Sequence, residues 1–135
     1  MANGGWHGTR EQLERLEASL KTMDPDFCSF ASKYNLDLKK ISKDGPVRFL
    51  EWGKEVRCLI QVYLADETDL TLNLWICAFQ DRAGKRYWKK ELIRTEVSAR
   101  QLAEELAELL ETGKHKLDQW ASRPEELEFA TDLQM

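Results

Sequence analysis

The chain has 135 residues, 42% of them hydrophobic and 33% charged, with 20 Lys+Arg against 24 Asp+Glu for a net charge of −4. This length suits one folded domain, and the aromatic and β-branched content is too high for a disordered chain. The longest near-apolar run, Leu70 to Phe79, is ten residues and is broken by Thr71 and Asn73, which excludes a membrane-spanning helix.

Residues 1–8 carry neither a basic start nor an apolar stretch, so a flexible lead-in is expected here rather than a secretory signal. Thr9-Arg-Glu-Gln12 has the form of a capping box, and Leu13, Leu16 and Leu20 follow on one helical face. Asp24-Pro25 suits an N-cap followed by proline in the first turn. Phe27, Phe30, Ala31 and Tyr34 then share one side of a second helix, with Asn35 placed to close it.

From Leu36 onward the period changes from 3.6 to 2. A weak strand, Leu36 to Ile41, precedes a turn at Lys43-Asp44-Gly45-Pro46. Stronger strands follow over Val47–Trp52, Val56–Leu64, Leu70–Phe79 and Lys85–Ile93. Ser98-Ala-Arg-Gln101 is a second capping box. It opens a helix with Leu102, Leu106, Leu109 and Leu110 on one face and Gly113 as a stop, while Leu117 and Trp120 suit a further turn. The expected fold is α+β over residues 9–121, with N-terminal helices, an antiparallel meander of four to five strands and a C-terminal helix packed on the sheet. Residues 122–135, with Glu125, Glu126, Glu128 and Asp132, are expected to form a loose acidic tail.

Loop lengths suggest a register. A five-residue loop after Leu64 pairs Leu64 with Leu70, Val62 with Leu72, Ile60 with Leu74 and Cys58 with Ile76. Pairing Trp52 with Val56 sets Leu50 opposite Cys58. A three-residue loop after Asp81 sets Ala78 beside Trp88 and Leu74 beside Leu92. One face is then wholly apolar and suits the helices. The second face carries Phe49, Leu59, Trp75, Cys77, Phe79 and Tyr87, rimmed by polar residues, with Glu51 opposite Arg57 as an ion pair. Either a helix covers this second face or it is open as a dimer, partner or ligand surface. Cys58 and Cys77 fall on opposite faces and should not form a disulfide.

Catalytic signals are few. His7 lies in the lead-in and His115 between two lysines, and there is no nucleophile triad spacing, phosphate loop or zinc-binding helix. The loop Asp66-Glu67-Thr68-Asp69 lacks the length of a calcium loop and reads better as a solvated hairpin. Neither a cofactor nor a metal is expected. Three cysteines at no metal or redox spacing point to a reducing cytoplasm.

Charge, however, is segregated. Between Asp81 and Arg94 six basic residues, among them Arg82, Lys85, Arg86, Lys89 and Lys90, meet two acidic ones, for a local net of +4. From Glu96 to Glu111 five glutamates meet Arg100, a net of −4. A basic hairpin with Tyr87 and Trp88 interleaved would suit a nucleic acid or phosphate ligand. The acidic whole disfavours a polyanion, and lysines protecting an edge strand are the favoured explanation of the run. The leading expectation is a non-enzymatic interaction module of adaptor, immunity or chaperone-like kind, homodimeric through the second face. A small-molecule site among Phe49, Trp75, Phe79 and Tyr87 is the alternative, and nucleic-acid binding comes third.

Overall fold

A computed structural model of the chain describes residues 8–42 and 45–130. Two helices, α1 (Arg10–Lys21) and α2 (Asp24–Tyr34), precede five strands: β1 (Leu38–Ser42), β2 (Gly45–Trp52), β3 (Arg57–Asp66), β4 (Thr71–Arg82) and β5 (Lys85–Val97). A long helix, α3 (Ala99–Ala121), and a short strand, β6 (Glu128–Phe129), complete it. The strands form one antiparallel sheet in the order β1-β2-β3-β4-β5-β6. The class is the α+β one expected, with one strand more.

The helix ends follow local chemistry. Thr9 and Gln12 form a reciprocal capping box, and the Ser98 hydroxyl accepts from the Gln101 N–H at 3.1 Å. Asn35 closes α2 in the left-handed conformation, φ 58°. Met23, rather than Asp24, is the N-cap of α2 and makes no side-chain cap bond, while the Asp24 carboxylate, in the first turn, is engaged by Arg48 on β2.

Gly113 does not end α3. It is buried within the helix, where an added Cβ would stand 3.1 Å from Ile76 Cγ2 and 3.6 Å from Ile60 Cδ1. Its missing side chain lets the helix lie close on β3 and β4, and the face Leu102, Leu106, Leu110, Gly113, Leu117 runs unbroken along the sheet.

All three helices contribute to one core. Leu16 and Leu20 of α1, Phe27 and Phe30 of α2 and the leucines of α3 meet Leu50, Cys58, Ile60, Val62, Leu72, Leu74, Ile76 and Ala78 of the sheet. Within this apolar layer lies Arg48, wholly buried. It donates to Asp24 at 2.6 Å, to Glu17 at 2.8 Å and to the Val47 carbonyl at 2.9 Å. Burial alone would lower its pKa, but the hydrogen bonds it donates to Glu17 and then Asp24 outweigh this and hold the guanidinium above its ordinary value.

Residues 124–130 are not a loose tail. Pro124–Glu126 make a 3₁₀ turn, Leu127 and Ala130 are buried, and β6 pairs with β5 through Tyr87–Phe129 and Trp88–Glu128. The rest of that segment, 131–135, lies outside the described residues. So do residues 1–7 of the lead-in, His7 among them, and Lys43-Asp44 of the first turn; beyond that turn Ser42 pairs with Gly45.

Candidate functional site

Helices line only one side of the sheet, so the outward-pointing residues form a face that no described element covers. Its composition depends on register. Across β2 and β3 the pairs are Trp52–Cys58, Leu50–Ile60 and Glu51–Leu59. Across β3 and β4 they are Cys58–Ala78, Ile60–Ile76, Val62–Leu74 and Leu64–Leu72. Both ladders differ from the expected register by two residues, a slip that keeps every side chain on its expected face.

The physical reasons lie in the loops. After β2 the chain spends two more residues than expected, turning at Gly53 (φ 100°) and burying Val56 in the core. After β3 a bulge follows Leu64, and the Asp66 carboxylate accepts the Thr68 and Asp69 N–H groups at 2.7 and 3.3 Å. The acidic loop thus has a structural use for Asp66.

The last hairpin differs by one residue. Arg82 pairs with Lys85 across the two-residue turn Ala83-Gly84, whose φ values are 52° and 79°, as a type I′ turn requires. The structure therefore overturns the expected pairing of Ala78 with Trp88 and Leu74 with Leu92. Phe79 pairs with Trp88 and Trp75 with Leu92, both on the outer face. Tyr87, expected outside, points to the helix side. It lies 5.7 Å from the Phe129 ring and under the Arg82 guanidinium at 4.1 Å.

The outer face thus joins Phe49, Leu59, Trp75, Cys77 and Phe79, as expected, with Trp88 and Leu92 in place of Tyr87. Leu92 is 53% exposed. Trp75 is fixed by its Nε1–H, which donates to Gln61 at 2.8 Å, and by an edge contact with Tyr63 at 6.4 Å. Asn73 donates to the Tyr63 hydroxyl at 3.2 Å and accepts from the Glu96 N–H at 2.8 Å. Cations lie on this surface rather than away from it. Arg86 sits 4.1 Å from the centre of Phe79 and pairs with Asp81 at 2.9 Å, while Lys90 sits 4.4 Å from the centre of Trp88. The expected pair of Arg57 with Glu51 is present at 3.1 Å, although Leu59, not Arg57, stands directly opposite Glu51.

Cys77 is 1% exposed and lies across from Lys90. Burial pushes its thiol up to about 11 in spite of Lys90 and Arg86, so it is protonated near neutrality and a poor nucleophile. Cys58, on the helix side, is pushed up to about 12 by burial. The two thiols are on opposite faces and both are free, as is the exposed Cys28.

The five basic residues of the last hairpin do not share one surface. Arg86 and Lys90 lie on the outer face. Arg82 lies on the helix side over Tyr87 and donates to the Pro124 carbonyl at 3.0 Å; Lys85 reaches the Phe129 ring and Lys89 the Trp120 ring of α3. The acidic helix meets the last strand within the monomer, through Arg94–Glu105 at 3.5 Å, and Lys116 of α3 pairs with Glu91 at 2.7 Å. A shallow, open depression between α1 and α3, lined by Ser19, Thr22, Ala99, Arg100, Ala103 and Glu104, involves none of the outer-face residues.

Trp88 and Leu92 were expected on the helix side of the sheet, and Arg48 was not singled out by sequence reasoning. A two-residue Ala-Gly turn was the available signal for the first two, and a charge at an inward strand position for the third. Among the described residues, no three His, Cys, Asp or Glu side chains gather as metal ligands would, and no helix is long and apolar enough to cross a membrane. Compared with family models, curated proteins and solved structures, the chain matches none.

Proposed function

We propose that this protein is a small non-enzymatic interaction module, of adaptor, immunity or chaperone-like kind, that self-associates through the outer face of its sheet. One observation carries the reading: Leu59, Trp75, Phe79, Trp88 and Leu92 lie together, partly exposed around the buried Cys77, on the side of the sheet opposite all three helices. Contiguous apolar patches on folded domains mark interaction sites, because leaving them in water forgoes about 25 cal/mol for each Å² that a partner would cover. The rim of ion-paired and ring-stacked cations suits a polar border around an apolar centre. Three free thiols fit a reducing, cytoplasmic setting.

The alternative, a small-molecule site on the same face, has less support. Tyr87, one wall of the expected aromatic pocket, lies on the other side, and the Trp75 donor is already satisfied by Gln61. Sedimentation velocity over a concentration series tests the reading. The wild type is expected to dimerise, and Leu92→Glu, placed at an exposed position, to be monomeric with unchanged far-UV circular dichroism. A wild type that stays monomeric at about 100 μM, weaker than any specific stable interface, overturns it.

A further inference from the structure

Resting on that self-associating reading, we infer that the two copies stack face to face about a two-fold axis that runs along the strands, between β3 and β4. The register places Glu51, Leu59, Cys77 and Lys90 in one row across β2, β3, β4 and β5. An acid stands at one end of the row, a base at the other, and two apolar side chains between them. Neighbouring strands lie about 4.8 Å apart, so the two charges are separated by roughly 14 Å along the row.

A symmetric face-to-face dimer needs a two-fold axis in the plane of the interface, and the row distinguishes the two directions. With the axis along the strands, β2 of one copy lies over β5 of its partner. Glu51 then faces the partner's Lys90, the contact occurs twice, and the apolar centres of the two rows meet. In the adjacent row, Phe49–Gln61–Trp75–Leu92, the same operation sets Phe49 over the partner's Leu92. With the axis along the row itself, Glu51 faces Glu51 and Lys90 faces Lys90, two like-charge contacts. Stacked sheets lie about 10 Å apart with their strands nearly aligned, a gap that a glutamate and a lysine can close from opposite sides.

Both groups have capacity for such a contact. Arg57 takes Oε2 of Glu51 and Arg86 stands near enough to act on its charge, but Oε1 accepts no hydrogen bond among the described residues. Lys90 lies over the Trp88 ring and has no carboxylate partner among the described residues.

The test is a charge swap read by sedimentation at about 0.15 M salt, where surface charges are only partly screened. Glu51→Lys and Lys90→Glu should each weaken the dimer about ten-fold or more, since each replaces two attractive contacts by two repulsive ones. The double variant should return to within about three-fold of the wild type. Raising the salt to about 1 M should weaken the wild-type dimer but strengthen that of either single variant, a sign change that holds even if one variant is less stable. A wild-type dimer whose affinity neither single variant alters overturns the axis and leaves the interaction reading standing, as does a double variant that fails to recover. A monomeric wild type overturns the interaction reading itself, and the axis with it.

Discussion

Replacing Arg48 by methionine removes the one charged side chain of the described residues that is wholly buried, and it strands two carboxylates at the junction of α1, α2 and β2. Taking away one partner of a buried ion pair costs about 3–5 kcal/mol, because the other charge is left without compensation. Here the side chains of Glu17 and Asp24 keep 38% and 17% of their exposure, and Asp24 retains Lys40 at 3.4 Å. Water and Lys40 therefore recover part of the loss, and the expected cost is about 2–4 kcal/mol. An unfolding entropy of about 2.1 cal/mol/K per residue gives roughly 0.28 kcal/mol/K for a chain of 135 residues, so the melting temperature should fall by about 7–14 °C. Urea unfolding followed by tryptophan fluorescence, with parent and variant compared at the same low protein concentration, reads the change. Removing the stranded charges as well, with Glu17→Gln and Asp24→Asn, should recover at least half of the loss. An Arg48→Met variant within about 0.5 kcal/mol of its parent would refute the reasoning, since the guanidinium would then be neither isolated from water nor needed by its carboxylates.

Gly113→Leu should destabilise by about 1–3 kcal/mol or more, because a side chain there must displace Ile76 or lift α3 from the sheet; thermal melting checks it. A thiol reagent at about pH 8 should label Cys28 rapidly and label Cys58 and Cys77 only on unfolding, since burial both shields those two and raises their pKa values. Fast labelling of two thiols in the folded protein would contradict the burial of one of them. The Glu111 carboxyl is held below its ordinary value of 4.5 by hydrogen bonds from Tyr34 at 2.6 Å and Lys33 at 2.9 Å. Its stabilisation is therefore present above that value and lost as pH falls through the lower folded-state value, so the stability difference between wild type and Glu111→Gln should shrink on acidification from about pH 6 to pH 3.

The helices and strands were legible because their signals are local. Thr9 and Gln12 cap α1 through atoms three residues apart, and the spacing of Leu102, Leu106 and Leu110 marks the buried side of α3 whatever lies opposite. Alternation alone separated Cys58, Ile60 and Val62 from Leu59 and Gln61. Five of the six residues expected on the second face are there, because β2, β3 and β4 slipped by an even number of residues. Gly113 misled because a helix interior with a glycine looks locally like a helix end, and only the approach of β3 and β4 explains it.

What the sequence determined by itself was the period of each segment, and with it the class of fold and the two-sided character of every strand. The tertiary structure decided which side of β5 faces outward, where the helices lie and what becomes of the residues after α3. The physical reason is that period 2 defines two faces but does not orient them. That choice rests on one residue in a turn, and positive φ at both Ala83 and Gly84 turned Trp88 outward and Tyr87 inward. Likewise, nothing in the local pattern of Val47 to Trp52 says that Arg48 will find Glu17 and Asp24, since those carboxylates reach it only when α1 and α2 settle on the sheet.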